Sequence, residues 1–216
     1  MPPSPASLDR LRQEIAEGNA LAIVGAGVSI GATHNAKAAS WTGLLLDGVD
    51  RCQTLGQTAR WADRARGDIE DGDLLAAAEK ISAVLGAPEG GPFRTWLRES
   101  VGALRAQDRT VLDALRDLGI HFATTNYDDL LKQTTGFSPI TWRDGTRVQR
   151  FLRGDENGIL HLHGHWDDPA SVVLGIRSYK DVKDHALKRP PRFFERSGSR
   201  SRKACDSGSW RRCASM

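Results

Sequence analysis

Ala20-Leu21-Ala22-Ile23-Val24, followed at once by Gly25-Ala26-Gly27-Val28-Ser29, is the stretch that decides the fold. Five uncharged, largely aliphatic residues bounded by glycine predict a short strand buried on both faces, as in a parallel sheet covered by helices. A glycine-rich turn directly after such a strand lies at the carboxyl end of the sheet, where open α/β folds bind ligands. The arrangement recurs twice. The apolar run 120–124 leads into Thr124-Thr125-Asn126-Tyr127-Asp128, and the run 158–162 leads into His161-Leu162-His163-Gly164. Strand ends nearly 140 residues apart can therefore face one crevice.

The segments between these runs read as helical. Leu8, Leu11 and Ile15 fall at helical spacing in a first helix capped by Ser7 and stopped by Gly18. Residues 27–40 form a small-residue loop, and Trp41-Thr42-Gly43-Leu44-Leu45-Leu46 opens a helix. From 58 to 118 the period is helical throughout, with Leu74, Leu75, Ala78, Ile81 and Leu85 on one stripe and Phe93, Trp96, Leu97, Val101 and Leu104 on another. This is a helical insertion between two strands. Asp129 is placed to complete a capping box to Asn126 as a helix starts at Leu130. Further strands are expected at 147–152 and 171–174, and a last helix at 178–188.

At 216 residues the chain suits one α/β domain with a tail. Nine of its 30 Lys and Arg residues, but only two of its 27 Asp and Glu residues, lie from Lys188 onward, so the body is mildly acidic. The basic excess is confined to a Ser/Gly/Arg segment, 189–216, whose composition predicts disorder; a frame-shifted ending would give such a mixture. No nucleic-acid face is expected on the body. Cys52, Cys205 and Cys213 make no Cys-x-x-Cys pair, so neither a zinc module nor a disulfide framework is expected. With no basic-then-apolar leader and no long apolar run, the protein is expected in the cytoplasm, away from the membrane.

Each strand end carries groups suited to polar chemistry. Gly25 and Gly27 allow positive φ and close approach of a phosphate to the backbone, although Ile30 stands where a Gly-x-Gly-x-x-Gly fingerprint has its third glycine. Asn126 and Asp128 can hold a ribose hydroxyl, a carboxamide or a water; equally, Asn126 can be a helix cap. His161, His163 and His165 alternate, so they share one face if the strand persists, where they could bind a metal; His163 beside Gly164 is also placed to act as a general base.

Taken in order, Gly-Ala-Gly-Val-Ser, Thr-Thr-Asn-Tyr-Asp and Leu-His-Gly resemble the sirtuin family, and more closely its SIR2-like branch of bacterial NAD-consuming domains found in antiphage defence. Ser40-Trp41 with Leu44-Leu45, and Ser171-Val172-Val173-Leu174 followed by Ser178-Tyr179, extend the resemblance over about residues 18–185. It implies an α/β, doubly wound, mostly parallel, Rossmann-like sheet with a helical insertion (58–118) in a domain spanning 1–188. The C-terminal part of the family fold is expected to be truncated or replaced here by the tail. It also implies NAD+ as substrate, with Gly25, Ala26, Gly27 and Ser29 along the phosphates and adjoining ribose. Asn126 would position the nicotinamide ribose or a water, Asp128 would meet the carboxamide, and His163 would be the base. The expected activity is hydrolysis of NAD+ to nicotinamide and ADP-ribose. Protein deacylation and an inactive NAD- or ADP-ribose-binding module are the alternatives, and a defence-system protein or a second copy is the expected macromolecular partner.

Overall fold

Apolar runs bounded by glycine or turn residues become four short strands, β1 (Leu21–Val24), β2 (His121–Thr124), β3 (Pro139–Thr141) and β4 (Ile159–His161). The computed structural model describes residues 4–188. All strand pairs are parallel, in the order β1-β2-β4-β3. The register brings Val24, Thr124, His161 and Thr141 into one row at the carboxyl ends. The three motif loops therefore leave the sheet side by side.

Ten helices surround the sheet among the described residues: α1 (Pro5–Ala16), α2 (Ala26–Ala32), α3 (Trp41–Thr54), α4 (Ala59–Glu70), α5 (Leu74–Leu85), α6 (Gly91–Glu99), α7 (Thr110–Asp117), α8 (Leu130–Thr135), α9 (Gly145–Arg153) and α10 (Ile176–Lys188). The two-residue period of the strands sorts side chains into two cores. Phe122 and Ile159 join the larger one, which includes Leu44, Leu45, Val49, Ile81, Trp96 and Leu112 from the helical insertion and its neighbours. Ala123, Leu160 and Ile140 form the smaller one against Phe151 of α9. Helices thus cover both faces, the α/β architecture expected.

Five local expectations are corrected. Residues 147–152 are helical: Val148, Phe151 and Leu152 share a helical face, the Asp144 side chain accepts from Arg147 N–H, and Gly154 closes the helix with φ 78°. Short apolar runs of this length do not separate helix from strand. Residues 27–40 contain α2 instead of only loop, and Ser4, instead of Ser7, caps α1. Residues 171–174 are buried but make no ladder; Val173 N–H donates to His163 O at 2.8 Å, which packs this segment on the third motif loop. Finally, β1 is not buried on both faces. It ends the sheet among the described residues, and Leu21 and Ile23 remain 44% and 67% exposed because no described helix covers their side. The tail, 189–216, lies outside the described residues.

Candidate functional site

The site begins with hydrogen bonds that tie the motif loops together. Thr124 Oγ1 donates to Val24 O at 2.9 Å, and Asn126 N–H donates back to Thr124 Oγ1 at 3.0 Å. Asn126 Nδ2 donates to Gly25 O at 3.1 Å and to Ser29 Oγ at 2.8 Å, and Ser29 Oγ donates to Asp128 Oδ2 at 2.7 Å. Two acceptors fix which end of the Asn126 amide is nitrogen. Its Oδ1 makes no hydrogen bond among the described residues. The helix-cap reading of Asn126 is therefore corrected: α8 starts only at Leu130, whose N–H bonds Asp128 Oδ1 at 3.0 Å, and the Asn126 side chain reaches across to the glycine loop.

Asp128 is 7% exposed, and burial pushes its carboxyl above the ordinary value, with the Ser29 and Leu130 bonds acting the other way. Ser29 is 1% exposed. The Ser29–Asp128 pair thus braces Asn126 from within the protein.

The three histidines go to three different partners, so the alternating spacing does not assemble them around one ion. His161 Nδ1 lies 2.9 Å from Asn126 O, and since a carbonyl can only accept, Nδ1 carries the proton. Burial lowers its pKa to about 4, leaving it neutral at pH 7. His165 Nε2 lies 2.9 Å from Asp129 Oδ1, and Trp166 Nε1 donates to Asp129 Oδ2 at 2.8 Å. Burial opposes ionisation of Asp129, but these two bonds outweigh it and hold the carboxyl below the usual carboxylate range. His163 alone faces the cavity at the strand ends. Burial lowers its pKa too, so its imidazole is neutral at pH 7 and able to accept a proton.

That cavity has a volume of about 270 Å³ and is lined by Ala26, Ser40, Trp41, Asn126, Asp128, His163 and Tyr179, among others. Residues from all three motif loops therefore meet in one place, 137 positions apart at the extremes. Gly25 and Gly27 stand at the mouth of α2 but not for the conformational reason expected. Gly25 has φ −113°, neither residue is among those with positive φ, and a Cβ at Gly25 would come no closer than 3.9 Å to any atom, while one at Gly27 would meet nothing within 4 Å. The fold does not require glycine there; what glycine preserves is open space beside the cavity.

Residues 120–202 match the SIR2-like domain family. The matched segment runs from the start of β2 to beyond α10, past the boundary expected at 188, and contains the second and third motif loops. This family includes NAD-using enzymes. The matched segment supplies Asn126, Asp128, His163 and Tyr179 to the cavity, whereas Ala26, Ser40 and Trp41 come from the preceding part of the chain.

Two contributors were not assigned roles by motif reading. Trp41 opens α3 behind Ser40, whose Oγ accepts from Gly43 N–H at 3.0 Å, and the Ser-Trp pair followed by Leu-Leu is a visible cap-and-core signature. Tyr179 of α10 places its ring 5.8 Å from that of His163, edge to face. Nothing local in the sequence announces that pairing.

Proposed function

We propose that this chain binds NAD+ and hydrolyses it to nicotinamide and ADP-ribose. The observation that carries the reading is the convergence of Ala26, Asn126 and a neutral His163 on one cavity. Its volume, about 270 Å³, lies just under the range typical of drug-sized ligands and suits one half of a dinucleotide. The nicotinamide ribose would occupy it, and the phosphates would pass over the open space at Gly25 and Gly27.

The chemistry follows from the groups present. The bond between ribose C1′ and the nicotinamide nitrogen breaks with its electron pair leaving on nicotinamide, and positive charge develops on the ribose. A water held by Asn126 Oδ1 attacks C1′ as its proton passes to the unprotonated nitrogen of His163. The Asn126 amide cannot rotate freely, because Gly25 O and Ser29 Oγ hold both of its N–H groups. Such fixed positioning is worth several powers of ten in rate. Its place in antiphage defence, in partnership with a defence protein or a second copy, belongs to this same proposal and rests on the motif resemblance.

The test is nicotinamide release from NAD+ by the purified full chain, without acylated peptide, so that hydrolysis is separated from deacylation. Asn126→Ala and His163→Ala are each expected to lower turnover at least 100-fold while leaving the fold intact. Undiminished turnover in both variants would reject the assigned roles, and NAD+-dependent thermal stabilisation without release would reduce the protein to a binding module.

A further inference from the structure

Trp41 lines the cavity, and its indole Nε1 is sealed from water with no hydrogen-bond partner. Among the described residues only two other buried side-chain N or O atoms lack a partner, Arg51 Nε and Glu156 Oε2. Both belong to ion-paired groups, Arg51 with Glu99 at 3.4 Å and Glu156 with Arg147 at 2.7 Å, and neither residue lines the cavity. Three other tryptophans are satisfied: Trp96 donates to Asp47, Trp142 to Ser171 O and Trp166 to Asp129, all between 2.7 and 2.8 Å. A buried indole N–H normally finds an acceptor, and leaving one unpaired is costly.

The backbone beside Trp41 is tightly packed. Trp41 follows the Ser40 cap, and two residues later Gly43 packs so tightly that a Cβ there would lie 1.9 Å from Lys37 O. A tilt of the ring toward the cavity would bring the N–H to an acceptor arriving there.

We propose that Trp41 is a specificity-determining contact for the nicotinamide ring, its N–H donating to the carboxamide oxygen. This rests on the NAD+ reading above. A carboxamide needs both a donor and an acceptor to be matched. Asp128, when ionised, only accepts, and its two oxygens already receive Ser29 Oγ–H and Leu130 N–H. The carbonyl half therefore needs a donor from elsewhere in the wall, and Trp41 supplies an unspent one.

The experiment is a ¹H–¹⁵N titration of the full chain with NAD+ and, separately, with ADP-ribose, the Trp41 indole resonance being identified by its absence in Trp41→Phe. NAD+ is expected to move this resonance downfield and ADP-ribose to leave it in place. Trp41→Phe should weaken NAD+ binding about five- to tenfold, the equivalent of one neutral hydrogen bond, and leave ADP-ribose binding unchanged. If NAD+ shifts other resonances of the site but not this one, or if the variant weakens both ligands equally, the role of Trp41 is overturned and the NAD+ reading stands. If neither ligand shifts any resonance, both are overturned.

Discussion

Replacing Ser29 with alanine probes the brace behind Asn126. Ser29 Oγ donates to a carboxylate that is 7% exposed and accepts from the Asn126 amide, so deletion of one oxygen breaks two buried bonds. Asp128 Oδ2 then loses its donor and only the Leu130 N–H remains on that side chain. A buried charged acceptor left one bond short costs about 2–3 kcal/mol. The sign of the pH dependence follows from linkage. Burial raises the Asp128 carboxyl, and the Ser29 bond partly offsets that rise, so Ser29→Ala raises it further. A group that holds its proton more tightly folded than unfolded makes the protein less stable as pH climbs from the ordinary value, 3.8, through the folded one. The variant's deficit should therefore widen as pH rises above the ordinary carboxyl value, which a comparison of pH 5 with pH 8 reads. Contributions common to both proteins, such as that of His161, cancel in the difference. Urea denaturation at the two pH values measures it, and nicotinamide release should fall about 100-fold in parallel as the amide loses an anchor. A deficit below about 0.5 kcal/mol at pH 8, within what a bland surface change gives, or one that narrows as pH rises, would refute the account of the Ser29–Asp128–Asn126 chain.

Two further outcomes are expected. Because burial keeps His163 neutral below the usual imidazole range, nicotinamide release should be flat from pH 8 to 7 and decline only as pH falls through the lowered value; a decline already between pH 8 and 7 would remove His163 as the base. Gly43→Ala should destabilise the fold by about 1–3 kcal/mol in urea, since its new Cβ would meet Lys37 O at 1.9 Å, and should also displace the Ser40–Trp41 wall; unchanged stability would show that the turn before α3 yields.

Much of the frame was legible one residue at a time. Three apolar runs ending in glycine, Thr-Asn or His-Gly mark strands whose loops share the carboxyl edge, because strands inside a parallel sheet are apolar in succession and the turn chemistry sits next to them. The long amphipathic pattern of 58–118 identified the insertion for the same local reason, and the structure adds Thr58 as the cap of α4. Residues 147–152 were misread because six residues with three apolar positions fit either period.

What only the tertiary structure decided depends on partners distant in the chain. Whether Asn126 caps a helix or grips the glycine loop turns on Ser29, 97 residues away, and whether Asp128 meets solvent turns on the same hydroxyl. The histidines are spent differently, because Asn126 O and Asp129 take His161 and His165, whose rings touch edge to face at 4.7 Å, while His163 lines the cavity. Sequence determined which chemical groups stand at the strand ends; packing determined which of those groups are spent on one another and which, like Asn126 Oδ1 and the Trp41 indole nitrogen, are left without a hydrogen-bond partner among the described residues. A polar group's availability is set by the free-energy competition among all its neighbours, and those neighbours exist only in the folded chain.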